Sequence, residues 1–140
     1  MNKRKDALEK LVEFADSVVG HEFKWGRTDC IALGCDAVAA MTGEFDSFQY
    51  CWWEDKDGAL IASKQMTVRD VLIDMGFRQI DIKQAGSGDV VTGWLKNKML
   101  PYCYIGVGSL WLSSTPADGV YLSRRHILEK LPEPTAWRLD

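Results

Sequence analysis

Cys30 is the residue whose type and position most favour chemistry, and it ends the hexapeptide WGRTDC at 25–30. The sequence predicts a helix that begins here, which would put the Cys30 thiol beside unpaired backbone N–H groups and the positive end of the helix dipole. Both favour the thiolate, so we expect a lowered pKa and a nucleophile at neutral pH. A buried structural cysteine is the alternative interpretation of the same residues.

A thiol nucleophile needs a base, and the chain contains only two histidines, His21 and His126. His21 lies shortly before Cys30 and is a secondary candidate for the base. His126 lies in a charged segment that predicts a solvated turn. A catalytic imidazole has to be oriented by a supporting element, and the sequence predicts none for either residue. We therefore expect both histidines at the surface.

The elements that would position Cys30 are helices in the first half of the chain. The predicted helices span 5–19, 28–42, 58–64 and 67–76. Thr28 is the expected N-cap of the second helix, with Asp29 in its first turn, and Gly43 ends that helix. Thr67 and Asp70 form a capping box for the last helix.

The second half of the chain shows the two-residue period of strands, punctuated by Gly, Pro, Ser and Asn. The predicted strands span 77–82, 90–95, 104–107, 110–113, 119–123 and 136–139. Helices come first and strands second, without βαβ alternation. We expect one α+β domain over residues 1–140, with N-terminal helices packed on a C-terminal antiparallel sheet or small barrel.

Charge and hydropathy exclude several classes of partner. The net charge is −3 and the densest basic group is 3–5, so we expect no nucleic acid partner. No apolar run approaches the ~20 residues of a membrane span, and the charged start is unlike a signal peptide. We expect synthesis in the cytosol, where the cysteines are reduced at first.

Three motifs in a fixed order resemble a known family: WG-x-x-DC at 25–30, GDVV at 88–91 and IGV at 105–107. They are similar to the pattern of NlpC-type peptidases in the papain-like cysteine peptidase superfamily. The similarity is closer to a short phage-encoded branch of uncharacterised proteins found near tail-tip genes. That branch shares Thr42-Gly43 and an Ala-Trp-Arg terminus, here 136–138. The resemblance implies a papain-like, NlpC-like fold.

Carrying the family's residues over gives an incomplete catalytic set. Cys30 matches the nucleophile and Asp29 the residue before it, and the helix start would supply an oxyanion site. The position of the base histidine falls on Tyr104, whose ordinary pKa of about 10 makes it unsuitable as a base at neutral pH. The third, orienting residue falls near Ser113 or Ser114.

The resemblance to the phage-encoded branch, together with the incomplete catalytic set, implies a structural component of a phage tail tip or of tail assembly, built on a degenerate peptidase domain. Its partners would be neighbouring tail proteins such as hub or tail-tip subunits, and it would be carried in the virion after synthesis in the host cytoplasm. The alternative is an active peptidoglycan endopeptidase that uses Cys30 during infection.

The four cysteines, Cys30, Cys35, Cys51 and Cys103, raise the question of a metal or iron–sulfur site. Their spacing includes no CxxC pair, and Cys30 and Cys35 would lie about 140° apart around one helix. We therefore expect no metal and no cofactor. The resembled fold brings Cys30 and Cys103 close together, which implies a redox pair or a disulfide.

Aromatic residues follow the second predicted helix, with Tyr50, Trp52 and Trp53 among acidic residues. Large rings are favoured anchors at protein interfaces, so these residues could dock a partner subunit. They could instead cover one face of the second helix. The sequence alone leaves both interpretations open.

Overall fold

The computed structural model describes residues 1–44, 50–95 and 100–140. Its helices are α1 (Ala7–Val18), α2 (Cys30–Thr42), α3 (Lys56–Gln65) and α4 (Val68–Asp74). Its strands are β1 (Arg78–Ile80), β2 (Val90–Trp94), β3 (Pro101–Val107), β4 (Leu110–Thr115), β5 (Gly119–Arg124) and β6 (Thr135–Arg138). Short 3₁₀ helices span Ile82–Gln84 and Arg125–Lys130.

The caps explain where the second helix begins and ends. The N-cap of α2 is Asp29, whose side chain accepts a hydrogen bond from the Ala32 N–H. The prediction of Thr28 as N-cap was therefore wrong by one residue. The Thr28 hydroxyl instead accepts from the Lys24 N–H and donates to the Glu22 carbonyl. At the other end, Gly43 takes a left-handed conformation with φ 70°, as a helix-ending glycine does.

The six strands form one antiparallel sheet in the order β1-β6-β2-β3-β4-β5. The central pairing joins β2 and β3, where Val90 faces Ile105 and Val91 faces Tyr104. The C-terminal strand β6 lies between β1 and β2, so the end of the chain is held inside the sheet. The predicted α+β class with an antiparallel sheet is confirmed, and each predicted strand overlaps an observed one.

The two faces of the sheet carry different cores. Helices α1 and α2 pack on one face, where Leu11 and Leu33 meet Ile105 and Leu112 in a buried cluster. The opposite face holds a second cluster, made by Val91, Tyr102, Tyr104, Trp111, Leu128 and Ala136. A third, smaller cluster joins α2 to α3 and the residues just before α3. None of the described helices is long and apolar enough to cross a membrane.

Candidate functional site

The carboxylate of Asp29 organises the surroundings of Cys30. It is buried, with 4% of its surface exposed, and its Oδ1 accepts from the Ala32 N–H at 2.9 Å. Its Oδ2 accepts from the Gly26 N–H at 2.6 Å and from the Trp53 Nε1–H at 2.7 Å. Three donors satisfy most of the hydrogen-bonding capacity of this buried charge. One side chain therefore joins the turn before α2, the helix itself and the residues before α3.

The glycine of the WG-x-x-DC motif is required by a close approach of the chain. Gly26 has φ 74°, and a Cβ at this position would collide with the Trp53 carbonyl oxygen. The missing side chain thus lets the backbone at Trp53 approach Gly26 closely. Gly26 and Trp53 are thus in contact through both the backbone and the shared carboxylate of Asp29. No local pattern in the sequence predicts this role of Trp53, which lies 24 residues after Asp29.

Cys30 is the first residue of α2, as the motif predicts, but the protonation of its thiol differs from the prediction. Burial, the larger cause, and the carboxylate of Asp29, the second cause, raise the pKa of Cys30 to about 12. Hydrogen bonds from the backbone N–H groups of Cys103, Cys30 and Ile31 lower the pKa but are outweighed. The Cys30 Sγ lies 4.0 Å from the Pro101 carbonyl oxygen, to which the thiol donates. This direction is opposite to the expected lowering of the pKa and favours the neutral thiol, although Cys30 is only partly buried.

Tyr104, which the resemblance assigned to the base position, lies on the other side of the sheet. Along β3, Cys103 packs in the core beneath α1 and α2, whereas Tyr104 packs in the cluster on the opposite face. The Tyr104 hydroxyl is hydrogen bonded to the Tyr121 hydroxyl at 2.9 Å. Burial, followed by this hydrogen bond, raises the pKa of Tyr104 above its ordinary value. The Tyr104 hydroxyl is thus bonded to Tyr121 and not to the Cys30 sulfur, although Tyr104 and Cys30 both line the cavity beside α2.

The two histidines also lie apart from the thiol. His21 is exposed, and its carbonyl accepts from the Val120 N–H at the start of β5. His126 is exposed in the 3₁₀ helix after β5. Neither is among the described residues that line the cavity beside Cys30.

The two serines assigned to the third position have different surroundings. The Ser113 hydroxyl donates to the Cys103 carbonyl at 2.8 Å, so it holds β4 to β3 where their ladder ends. Ser114 pairs with Val120, which belongs to the core beneath the helices. Its hydroxyl is buried and has no hydrogen-bond partner within the described ranges. Tyr104, Ser113 and Ser114 thus line the same cavity as Cys30, but among the described residues no hydrogen bond joins their hydroxyls to the Cys30 sulfur.

The remaining motifs of the resemblance meet in a second structural cluster centred on Asp89. This carboxylate is 1% exposed and forms a two-point ion pair with Arg138, at 3.0 Å to Nε and 2.9 Å to the terminal nitrogen. It also accepts from the Gly86 N–H. The backbone of Asp89 and Gly88 exchanges hydrogen bonds with Gly106. The GDVV, IGV and Ala-Trp-Arg motifs are therefore joined by contacts that stabilise the fold.

A cavity of about 700 Å³ lies beside Cys30 and is lined by residues of α2, α3, α4 and β3. All four cysteines contribute to its wall, and all four are free thiols. Cys35 and Cys51 belong to one packed cluster, while Cys103 lies against Gly34 of α2. Within residues 1–44, 50–95 and 100–140, no three metal-ligating side chains converge on a point that could hold an ion.

The aromatic residues after α2 divide between the two roles considered for them. Trp53 is buried against Ala32 and Cys35 of α2, as expected of a residue that covers this helix. Trp52 is 51% exposed and its ring packs edge-on against that of Trp53. A surface ring supported in this way from beneath is available for docking.

Comparison with known families gives one match. A family model described as "Domain of unknown function (DUF6950)" matches residues 2–129. No curated protein matches the chain.

Proposed function

The chain belongs to the DUF6950 family, and we propose that it is a non-hydrolytic structural component of a phage tail tip, or of tail assembly, built on an NlpC-like domain. The observation that carries the absence of hydrolysis is the state of Cys30. Its thiol donates to the Pro101 carbonyl, neither histidine is among the described residues that line its cavity, and burial and the Asp29 carboxylate raise its pKa. A cysteine peptidase attacks through a thiolate, which a neighbouring base or a lowered pKa has to supply.

Two features support the NlpC-like part of the proposal. Cys30 opens a helix that packs on the central strands of an antiparallel sheet, the arrangement that the resemblance implies for the nucleophile. Three of the motifs that carry the resemblance, GDVV, IGV and Ala-Trp-Arg, also contact one another around Asp89. The assignment to a phage tail and to the virion depends on the sequence resemblance.

The exposed aromatic surface supports a role in binding neighbouring tail proteins. Trp52, Trp94 and Leu95 are exposed and contribute to the wall of the same cavity. Exposed tryptophans are enriched among residues that dominate the binding energy of protein interfaces. We propose that this surface docks a hub or tail-tip subunit.

The absence of hydrolysis is tested with purified peptidoglycan fragments. The parent chain is compared with Cys30→Ala and with Cys103→Ala, which removes a buried thiol outside the nucleophile position. We expect no released stem peptides from any of the three. Cleavage by the parent and by Cys103→Ala, but not by Cys30→Ala, would refute this part of the proposal and establish an endopeptidase.

The docking role is tested separately, by the amount of the chain incorporated into assembled particles. Trp52→Ala is compared with Ile61→Ala, because both side chains are 51% exposed and Ile61 does not line the cavity. We expect reduced incorporation for Trp52→Ala alone. Equal incorporation of both variants and the parent would contradict the assignment of this surface.

A further inference from the structure

The interior of the cavity beside Cys30 is apolar and reaches into the core of the fold. Val38, Leu72, Met75 and Val90 line it, and none of these side chains is more than 5% exposed. Ordinary protein interiors contain few voids larger than a water molecule. The volume of about 700 Å³ lies instead in the range of pockets that hold small molecules, which are also lined mainly by apolar side chains.

The cavity is extended across the sheet. Val90 of β2, Cys103 of β3 and Ser114 of β4 all line it, and these three strands are neighbours in that order. Neighbouring strands lie about 4.8 Å apart, so the wall spans about 10 Å across the strands. An unbranched chain fits a space of this shape better than a compact group does.

Ser114 brings a polar group to this wall that has no partner. The residue is 5% exposed, and its hydroxyl is buried without a hydrogen-bond partner within residues 1–44, 50–95 and 100–140. Ser114 lies opposite Val120, so its side chain is on the face of the sheet that the helices cover. Cys103 and Val38 of the same core also line the cavity. A buried hydroxyl without a partner is unfavourable, and a polar group of a ligand would satisfy it.

The charges in the wall favour a ligand whose polar group is uncharged. Among the described lining residues, Asp29 and Lys56 are the charged ones. Lys56 is exposed, so it lies where the cavity opens to solvent. Asp29 is buried, and its carboxylate already accepts from three N–H groups. A second anion buried near this carboxylate would lose its hydration without gaining a counter-charge.

We propose that the cavity binds a small amphiphile with one unbranched alkyl chain and one uncharged hydrogen-bonding group. The chain lies along the apolar wall and the polar group bonds to the Ser114 hydroxyl. Trp52 and Trp94 are exposed residues of the wall and border the opening through which the ligand enters. This binding is separate from the docking role of Trp52, because it depends on buried residues and not on the exposed rings.

The site is tested on the complete chain by isothermal titration calorimetry with straight-chain alcohols from pentan-1-ol to octan-1-ol. We expect saturable binding, with an affinity that rises about fourfold for each added methylene as more apolar surface is buried. Octanoate at pH 7 should bind at least about tenfold more weakly than octan-1-ol, because its carboxylate is ionised.

Ser114→Ala tests where the polar group lies. It should lower the affinity for octan-1-ol by about 2- to 12-fold, the range of one hydrogen bond. The affinity for toluene, which has no hydrogen-bonding group, should stay the same. Thr42→Val is the matched control, because Thr42 is also 5% exposed, its hydroxyl is bonded to the Val38 carbonyl, and it does not line the cavity. We expect this variant to bind octan-1-ol as the parent does.

Four results would overturn the proposal. Two of them are the absence of saturable binding by the parent chain and an affinity that does not depend on chain length. A third is octanoate bound as tightly as octan-1-ol, which would put the polar group at Lys56 and not at Ser114. The fourth is an equal loss of octan-1-ol and toluene binding in Ser114→Ala. The first three need no variant, and none of the four depends on incorporation into particles, so this proposal and the docking role fail separately.

Discussion

Replacing Gly34 by alanine tests the contact that seats α2 on the sheet. Gly34 lies inside α2, and a Cβ added there would be 2.9 Å from the Cys103 Sγ and 3.9 Å from the Ile105 side chain. Ordinary contacts between carbon and larger atoms begin at about 3.5 Å. Gly34 therefore lets helix and strand approach each other more closely than any other residue would.

The expected magnitude is the difference between two opposing effects. Alanine is favoured over glycine in a helix interior by about 1 kcal/mol. Forcing an extra carbon into a packed core costs about 1–3 kcal/mol. The Gly34→Ala chain should therefore be less stable than the parent by up to about 2 kcal/mol, although the substitution improves helix propensity.

Removing the Cys103 sulfur should reverse the sign of the stability change that Gly34→Ala causes. In a Cys103→Ala background the added Cβ meets no sulfur, so Gly34→Ala should stabilise the chain by about 1 kcal/mol. The coupling between the two positions is then about 1–3 kcal/mol. The free energies come from denaturant unfolding followed by tryptophan fluorescence, since the chain contains six tryptophans.

A matched background shows whether the coupling is specific. Cys51→Ala removes another buried thiol, and the Cys51 sulfur is not among the atoms nearest to the added Cβ. Gly34→Ala should remain destabilising in that background. Additivity of Gly34→Ala and Cys103→Ala within about 0.5 kcal/mol would refute the close contact between helix and sulfur.

The remaining predictions concern charge. Alkylation of Cys30 by iodoacetamide at pH 8 should be at least about a thousandfold slower than that of an exposed cysteine, because its pKa of about 12 leaves little thiolate. Asp29→Asn should cost about 2–4 kcal/mol of unfolding free energy, because an amide has one acceptor oxygen and cannot accept both from Ala32 at one position and from Gly26 and Trp53 at the other. Asp89→Asn should cost about 2–3 kcal/mol by leaving the guanidinium that it pairs with partly buried and unpaired.

The raised pKa of Cys30 also predicts how the stability of the chain depends on pH. The folded chain keeps the Cys30 proton up to about pH 12, whereas an unfolded cysteine releases it near pH 8.5. The contribution to stability is complete below about pH 8.5 and is lost as the pH rises towards 12. Cys30→Ala should weaken this alkaline loss, measured as unfolding free energy against pH. An unchanged slope, or rapid alkylation of Cys30 at pH 8, would contradict the raised pKa of this thiol.

Much of the fold could be predicted because its signals are local. The apolar period changes from helical to alternating after Gly76, and each change of element coincides with glycine, proline or a capping side chain. The sequence predicts Gly43 as the residue that ends α2 and Thr67 as the N-cap of α4, and the structure has both residues in these positions. The error at the start of α2 is one residue, because Thr28 and Asp29 are both good N-caps and only the folded turn decides between them.

The candidate site was harder to predict because its chemistry depends on contacts between distant residues. The helix start favours a thiolate locally, by an amount worth about 0.3–1 kcal/mol at exposed positions. Burial acts in the opposite direction and can shift a pKa by several units. Cys30 packs, partly buried, against the core that contains Cys103 of β3, and its thiol donates to the Pro101 carbonyl; neither residue is near Cys30 in sequence.

The contacts around Asp29 and Asp89 bear on how far a resemblance in motifs extends to function. A motif residue is retained by a fold if it stabilises the fold, whether or not it also takes part in chemistry. Here Gly26, Asp29, Asp89 and Arg138 each make buried contacts that account for their presence without a substrate. Tyr104 likewise packs in the cluster on the opposite face of the sheet, where its hydroxyl bonds to Tyr121. A resemblance in these motifs therefore does not by itself establish peptidase activity, which has to be tested at Cys30 itself.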